Sequence, residues 1–512
     1  MSLKKNILAN YASQIYVTLI GIVMLPMYIK YLGAETYGLV GFFAMLQAWF
    51  NLLDMGLTPT MARQTALYKG GAISAFDLRR LLRALEGVFI GVAILGAVGI
   101  LVVAEAVATK WLHVQILTVI EVHDAIMIMG IIIALRWTSG LYRGVINGFE
   151  RMVWLGSWNA CIATLRFVVV IPYFIYVGTS PTAFFLYQLG VAIIELLVLV
   201  TQTYLLLPKA EGKQRTSWQW QPLRDVLKFS LSIAFTSSIW ILVTQTDKLV
   251  LSKLLPLAEY GYFTLAVLVA GAVMMVGGPI SSAIMPSMTR LQAAGDEVGL
   301  IQLYRKATQL VAVIAVPVAL VLAFFSEQVL WAWTGDSLLV SKAAPVLTLY
   351  AVGSGVLALA AFPYYLQFSK GDLKLHLIGS FLFIILLIPN LIWATLQFGM
   401  IGAGWVWLSV NLLYFLFWVP FVHHRFVRGL HRVWLLKDVV FTSTPAIVCA
   451  CLAQHFTTWP KDRYLITVQL IILGLMLLGV SSLSSVKVRS LLMDFFGLLK
   501  VTRNVKNANR KK

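Results

Sequence analysis

Charge is scarce in this chain. Only 12% of its 512 residues are Asp, Glu, Lys or Arg, about half the share found in an ordinary soluble domain. Acidic residues are the scarcer sign, 21 against 40 Lys and Arg, which leaves a formal charge of +19. With 60% hydrophobic residues arranged in repeated runs of about 20, the deficit excludes a soluble globular fold and places the chain in a bilayer. Cysteine is nearly absent. Cys161, Cys449 and Cys451 all fall inside apolar runs and "CAC" lacks metal-site spacing, so neither a disulfide framework nor a metal site is expected. No G-x-x-x-x-G-K-[ST] occurs and the internal cytoplasmic loops are short, which excludes an ATP-driven pump with its nucleotide domain. The outer loops are also too short for the acidic or metal-binding loops of a membrane glycosyltransferase or polymerase, so no enzyme is expected. The first apolar run lacks a small-residue cleavage site and reads as a retained span.

What is present is helix. Spans are read at 7–29, 37–59, 84–108, 117–140, 153–176, 181–207, 229–251, 258–286, 308–326, 343–367, 376–397, 401–423, 438–456 and 464–484, about fourteen in all. The runs do not alternate with period two, and an open sheet edge cannot face lipid, so the expectation is an all-α polytopic membrane protein. With the N-terminus in the cytoplasm, 31 of the 40 Lys and Arg fall on the inner side and six outside, leaving Arg136, Arg166 and Lys248 within spans. That bias puts both termini in the cytoplasm. Orientation and anionic lipid headgroups account for the basic balance, and a nucleic-acid partner is not expected.

The chain repeats itself weakly at an offset of 223 residues. Lys30, Leu32, Tyr37 and Gly38 recur as Lys253, Leu255, Tyr260 and Gly261, and Tyr142, Gly148 and Gly156-Ser157 recur as Tyr365, Gly371 and Gly379-Ser380. "PTMAR", Pro59 to Arg63, recurs as "PSMTR", Pro286 to Arg290, shifted by a further helical turn. Six spans separate the copies, so the halves share one orientation, as in transporters built from parallel repeats. The expected organisation is an N-terminal lobe of spans one to six (1–208), a cytoplasmic linker (209–228), and a second lobe of spans seven to twelve (229–426). An extra helix pair (427–486) and a basic amphipathic cytoplasmic tail (487–512) follow.

Two stretches carry a resemblance. "YLGAETYGLVGFFAMLQAWFNLLDMGLTPTMAR" and "TQTDKLVLSKLLPLAEYGYFTLA" resemble the bacterial polysaccharide-biosynthesis flippases, the O-antigen and related lipid-linked oligosaccharide translocases of the multidrug/oligosaccharidyl-lipid/polysaccharide exporter superfamily. Through the two six-span halves, the resemblance covers essentially the whole chain. It implies a V-shaped pair of lobes around a cavity open alternately to each side of the bacterial inner membrane. The implied cargo is an undecaprenyl-diphosphate-linked glycan moved to the periplasmic leaflet, with other polysaccharide assembly proteins as further partners. Many members have twelve spans. The additional pair departs from that pattern and resembles the lipid II flippases of the same superfamily.

Charges inside the spans each need a partner, a wet cavity or a route to the interface. Asp54 lies in the inner third of span two and reads either as a coupling-ion carboxylate or as an interfacial residue capping a helix broken near Gly56 and Pro59. Arg63 and Arg290 end equivalent helices, as a clamp on a diphosphate or as ordinary inner anchors. Arg166 and Glu195 lie at matched depth, about 20 Å below the outer surface. They read either as a buried ion pair or as a diphosphate site with Glu195 tuning it or carrying a proton. Asp247 and Lys248 are adjacent and so point about 100° apart, which leaves at most one of them facing a cavity. Arg136, one turn from the inner end of span four, either snorkels or joins the cavity. "EVHD" (Glu121 to Asp124), near His113, is not a metal spacing.

The substrate-binding candidates are therefore Arg63, Arg136, Arg166, Lys248 and Arg290, and the ion-coupling candidates are Asp54, Glu195 and Asp247. No cofactor is expected beyond an H⁺ or Na⁺ gradient, used in antiport. The rivals are a multidrug or cation antiporter of the same superfamily, which prefers an acidic cavity, a lipid II-type flippase, and a non-transporting scaffold.

Overall fold

The computed structural model describes residues 3–208, 221–275, 277–485 and 487–489. Most of the expected linker and nearly all of the expected amphipathic tail lie outside the described residues. Among the described residues all regular elements are helical, and the one β-type contact is an isolated bridge between His113 and Pro256. The chain forms two compact units, Met1–Gly261 and Tyr262–Lys512.

The first unit contains α1 (Leu3–Phe50), α2 (Leu57–Lys69), α3 (Ala75–Ala106), α4 (Val119–Gly148), α5 (Met152–Thr164), α6 (Val170–Tyr176), α7 (Pro181–Leu206) and α8 (Gln221–Leu254). It also holds the first turn of α9 (Leu257–Ala270). A π-helical turn, Leu165–Val169, joins α5 to α6. Helix α8, which the repeat assigns to the second half, packs on α1, α2 and α3.

Ten helices among the described residues are long and apolar enough to cross a membrane, against the fourteen read from sequence. Part of the difference lies at two glycines. Ala12–Asp54 has 43 residues and Lys374–Phe426 has 53, each far more than the roughly 20 needed to cross a bilayer. Each is broken at one non-helical residue, Gly33 (φ 80°) and Gly399 (φ 60°), a conformation that a side chain disfavours. The paired spans read at 7–29 and 37–59, and at 376–397 and 401–423, are thus continuous chain folded at a glycine. Span two also ends earlier than expected. It closes in a 3₁₀ turn, Asn51–Asp54, and after left-handed Met55 and Gly56 the chain starts α2 as a separate helix.

Packing in this unit follows small residues. "GLYRGVING" gives α4 a stripe of Gly140, Gly144 and Gly148 at four-residue spacing, and each faces α2 closely enough that a Cβ would meet Thr58, Ala62 or Thr65. Such stripes let membrane helices approach without a hydrophobic driving force. Beside them, the rings of Phe89 and Trp137 stack at 4.4 Å in a core shared by α2, α3 and α4. Buried Glu35 accepts the backbone amides of Gln115, Ile116 and Leu117 at 2.5–2.8 Å and so ties α1 to the loop before α4.

The 223-residue repeat also has a physical meaning. A Cβ on Gly38 would stand 2.2 Å from the Leu257 carbonyl oxygen, and one on Gly261 would stand 2.6 Å from the Ala34 oxygen. Ala34 and Leu257 share the offset of Gly38 and Gly261, so each glycine receives the carbonyl one turn before its counterpart. At both positions close backbone approach leaves no room for a side chain. Gly38→Ala is expected to cost about 1–3 kcal/mol by overpacking, since a backbone oxygen cannot swing aside. Thermal unfolding of the detergent-solubilised protein should show it, while Gly99→Ala, with nothing within 4 Å, should leave the transition unchanged or raise it.

The second unit contains the rest of α9, then α10 (Ala272–Met275), α11 (Gly277–Ala293), α12 (Glu297–Phe324), α13 (Ser326–Thr334), α14 (Ser337–Ala360), α15 (Phe362–Ser369) and α16 (Lys374–Leu413). The chain continues through α17 (Val419–Phe426), α18 (Leu430–Val433), α19 (Phe441–Phe456) and α20 (Arg463–Ser484). The appended pair α19 and α20 packs on α12. A polar clasp fixes it. Fully buried Asp438, just before α19, accepts from Arg305 Nε at 2.6 Å and Nη2 at 3.0 Å, and from Gln309 Nε2 at 2.5 Å. Ser485 Oγ, just after α20, donates to Gln309 Oε1 at 2.6 Å. Buried His423 completes the region between Tyr304 Oη at 2.7 Å and His431 Nδ1 at 3.1 Å.

Candidate functional site

The inferred equal depth of Arg166 and Glu195 corresponds to direct contact. Arg166 Nη2 pairs with Glu195 Oε2, and the other carboxylate oxygen accepts from Arg143 Nη2. Glu195 is 2% exposed, whereas the side chains of Arg166 and Arg143 retain 22% and 29% exposure. The carboxylate is therefore buried behind two arginine side chains that are themselves partly exposed. Arg143 also donates to Asn159 Oδ1.

The cluster continues along the same helices. Arg136 donates to Gln188 Oε1 at 2.9 Å and Gln47 Oε1 at 3.3 Å, with its guanidinium 5.1 Å from the centre of the Phe43 ring. It therefore points inward and does not snorkel. Arg136 and Arg143, Asn159 and Arg166, and Gln188 and Glu195 are each seven residues apart, two helical turns, so each pair shares one helix face. Helices α4 and α7 run in register, Arg136 meeting Gln188 and Arg143 meeting Glu195. With three guanidiniums against one carboxylate, the cluster carries a net +2.

A backbone irregularity positions Arg166. It lies in the π-helical turn, a feature that often marks functional positions in helices. Side chains hold that turn in place. Tyr187 Oη donates to the Leu165 carbonyl at 2.7 Å, while Tyr28 Oη at 2.5 Å and Gln188 Nε2 at 3.2 Å donate to that of Arg166. Helices α1 and α7 thereby grip the turn from both sides.

The other sequence candidates lie elsewhere. Asp54 Oδ1 accepts from Thr58 N at 3.2 Å and Thr58 Oγ1 at 2.5 Å, so it caps the start of α2. Asp54→Ala is expected to cost about 1 kcal/mol, the usual worth of an N-cap, while Asp54→Asn should keep most of it. Thermal unfolding of both variants checks this. Arg63 is exposed in the middle of α2 rather than at a helix end, and Arg290 is exposed in the last turn of α11. Asp247 is 2% exposed and Lys248 lies 3.4 Å from it. The two do converge, because the long lysine chain reaches back, its Nζ also donating to the Thr244 carbonyl at 2.7 Å.

Two residues were passed over in the sequence. Arg143 reads in the sequence as an inner-side positive charge, although its seven-residue spacing from Arg136 marks it. Buried Glu86, inside an expected span, accepts from Tyr204 Oη at 2.7 Å and Tyr142 Oη at 3.2 Å and is 3.4 Å from Arg83 Nη1.

Comparison with known proteins agrees with this architecture. Among solved structures, the lipid II flippase MurJ in an inward closed conformation is similar with a TM-score of 0.72 at 13% identity, over 93% of this chain and 97% of that one. An inward-facing multidrug resistance MATE transporter of the MOP superfamily gives a TM-score of 0.62 at 14% identity, over 79% and 94%. A MOP superfamily transporter from Pyrococcus furiosus, described as having a binding pocket of reverse polarity, gives 0.51 at 13%, over 82% and 95%. At these identities the likeness shows the fold, that of a multi-pass membrane transporter. Comparison with curated proteins finds no match. The family described as polysaccharide biosynthesis protein matches residues 3–292. With more than half its length matched, the chain belongs to the polysaccharide biosynthesis protein family.

Proposed function

We propose that the protein is a flippase that carries a polyprenyl-diphosphate-linked oligosaccharide, such as an undecaprenyl-linked surface polysaccharide repeat unit, from the cytoplasmic to the outer leaflet of the bacterial inner membrane. The observation that carries this reading is the meeting of Arg143 and Arg166 on one carboxylate, Glu195, with Arg136 one step along the same helices on Gln188, inside a membrane helix bundle. Charge is expensive there. A surplus of guanidinium groups suits a passing diphosphate, whose oxygens they can fork. The same surplus disfavours a cationic drug. Arg63, Lys248 and Arg290 are assigned to collecting and handing on the headgroup, with anionic lipids around them.

The basic cluster would be exposed to each side in turn, and the driving force would be an H⁺ or Na⁺ gradient. One charge crossing 100 mV supplies about 2.3 kcal/mol. Asp54, Asp247 and Glu195 are the carboxylates assigned to that coupling, and the termini are assigned to the cytoplasm.

The test is reconstitution of the full chain in liposomes containing a fluorescent prenyl-diphosphate oligosaccharide. An imposed gradient should move the sugar to the opposite leaflet, where a membrane-impermeant quencher or glycosidase no longer reaches it. No movement above protein-free liposomes, or export of a cationic dye instead, would overturn the reading. Movement unaffected by collapsing both gradients would remove the coupling alone.

A further inference from the structure

We infer that Glu195 is a built-in competitor of the cargo, an internal anion that engages Arg143 and Arg166 when the site is empty and weakens their hold on an arriving diphosphate. The inference rests on the reading of this cluster as the headgroup site and adds a role to one residue of it.

The geometry separates this role from that of a simple staple. An ion pair that only fastens α7 to its neighbours needs one guanidinium, and Glu195 has two, one on each carboxylate oxygen. It thus stands toward Arg143 and Arg166 as a phosphate would, with two acceptor oxygens meeting two donors. The carboxylate is buried at 2% exposure, while the Arg143 and Arg166 side chains are partly exposed, so an arriving ligand meets the arginines before it meets their resident anion.

A guanidinium has five N–H donors. Arg166 gives one to Glu195, and its Nε is buried out of a ligand's reach. Arg143 gives one to Glu195 and one to Asn159. Donors on the terminal nitrogens therefore remain for a ligand, but two already face an anion in place. The arrangement suits a carrier, which has to let its cargo go. Three uncompensated guanidiniums would bind a diphosphate tightly and release it slowly. One resident carboxylate lowers the affinity, and on release it takes back both guanidiniums, so they are not left as unpaired buried charges.

The experiment measures binding of inorganic pyrophosphate to the full chain in lipid nanodiscs at neutral pH, alongside flipping in liposomes. Glu195→Gln keeps the shape and removes the charge. It is expected to bind pyrophosphate at least tenfold more tightly than the original protein and to flip several-fold more slowly. Glu195→Asp keeps the charge but, one methylene shorter, cannot bridge both guanidiniums, so its affinity should fall between the two. A variant with a purely structural defect would bind more weakly. Equal or weaker binding by Glu195→Gln, or the absence of the rank order, would overturn the inference and leave the headgroup site standing. Absence of pyrophosphate binding by every form would overturn both.

Discussion

Arg166→Met is expected to reduce flipping by about two orders of magnitude, and Arg166→Lys should restore only a small part. The guanidinium sits where a π-helical turn, held by Tyr28, Tyr187 and Gln188, aims it at Glu195. An ammonium is a point charge that cannot serve a carboxylate and a phosphate in one plane. The substitution also breaks a buried pair, at about 3–5 kcal/mol when one partner is lost, so a fall in transport alone is ambiguous. The double variant Arg166→Met, Glu195→Leu resolves it. Replacing both charges by apolar groups should recover most of the thermal stability without recovering transport. Were the double variant to flip at the original rate, the ion pair would be a fastening and the headgroup would bind elsewhere.

Asp438→Leu is expected to be among the most destabilising single changes in the second unit. One fully buried carboxylate receives three hydrogen bonds from α12, two from Arg305 and one from Gln309. Gln309 in turn accepts from Ser485 beyond the end of α20. Removing Asp438 strands the Arg305 guanidinium and frees both ends of the appended pair, at about 3–5 kcal/mol. Thermal unfolding and limited proteolysis near α19 and α20 should report it, and Arg305→Met introduced with Asp438→Leu should recover much of the loss. An unchanged unfolding temperature in the single variant would mean that lipid-facing packing alone holds the pair.

The membrane class, the helical content and the pairing of Arg166 with Glu195 were legible in the sequence. Depth along a helix is linear in residue number, so two charges counted from a shared loop can be matched without coordinates. Arg143 escaped because inner-side position alone explained it, and the seven-residue spacing that connects it to Arg136 lies outside a hydropathy reading. The contact of Asp54 with Thr58 depends on left-handed Met55 and Gly56, which hydropathy does not show. Asp247 and Lys248 were separated by helix geometry, yet the length of a lysine chain overcame the 100° between them.

Residue order alone determined that this chain crosses a bilayer as helices, that its two halves share a register 223 residues apart, and that charge must gather somewhere inside it. Each follows from burial in lipid or from spacing, properties additive along the chain. Only the tertiary structure decided which guanidiniums meet which carboxylate, that close backbone approach at Gly38 and Gly261 leaves no room for a side chain, and that Gly33 and Gly399 fold two long helices. Those outcomes depend on helix rotation and on contacts a few ångströms long, which arise when distant segments pack and are not written into the hydropathy of any one of them.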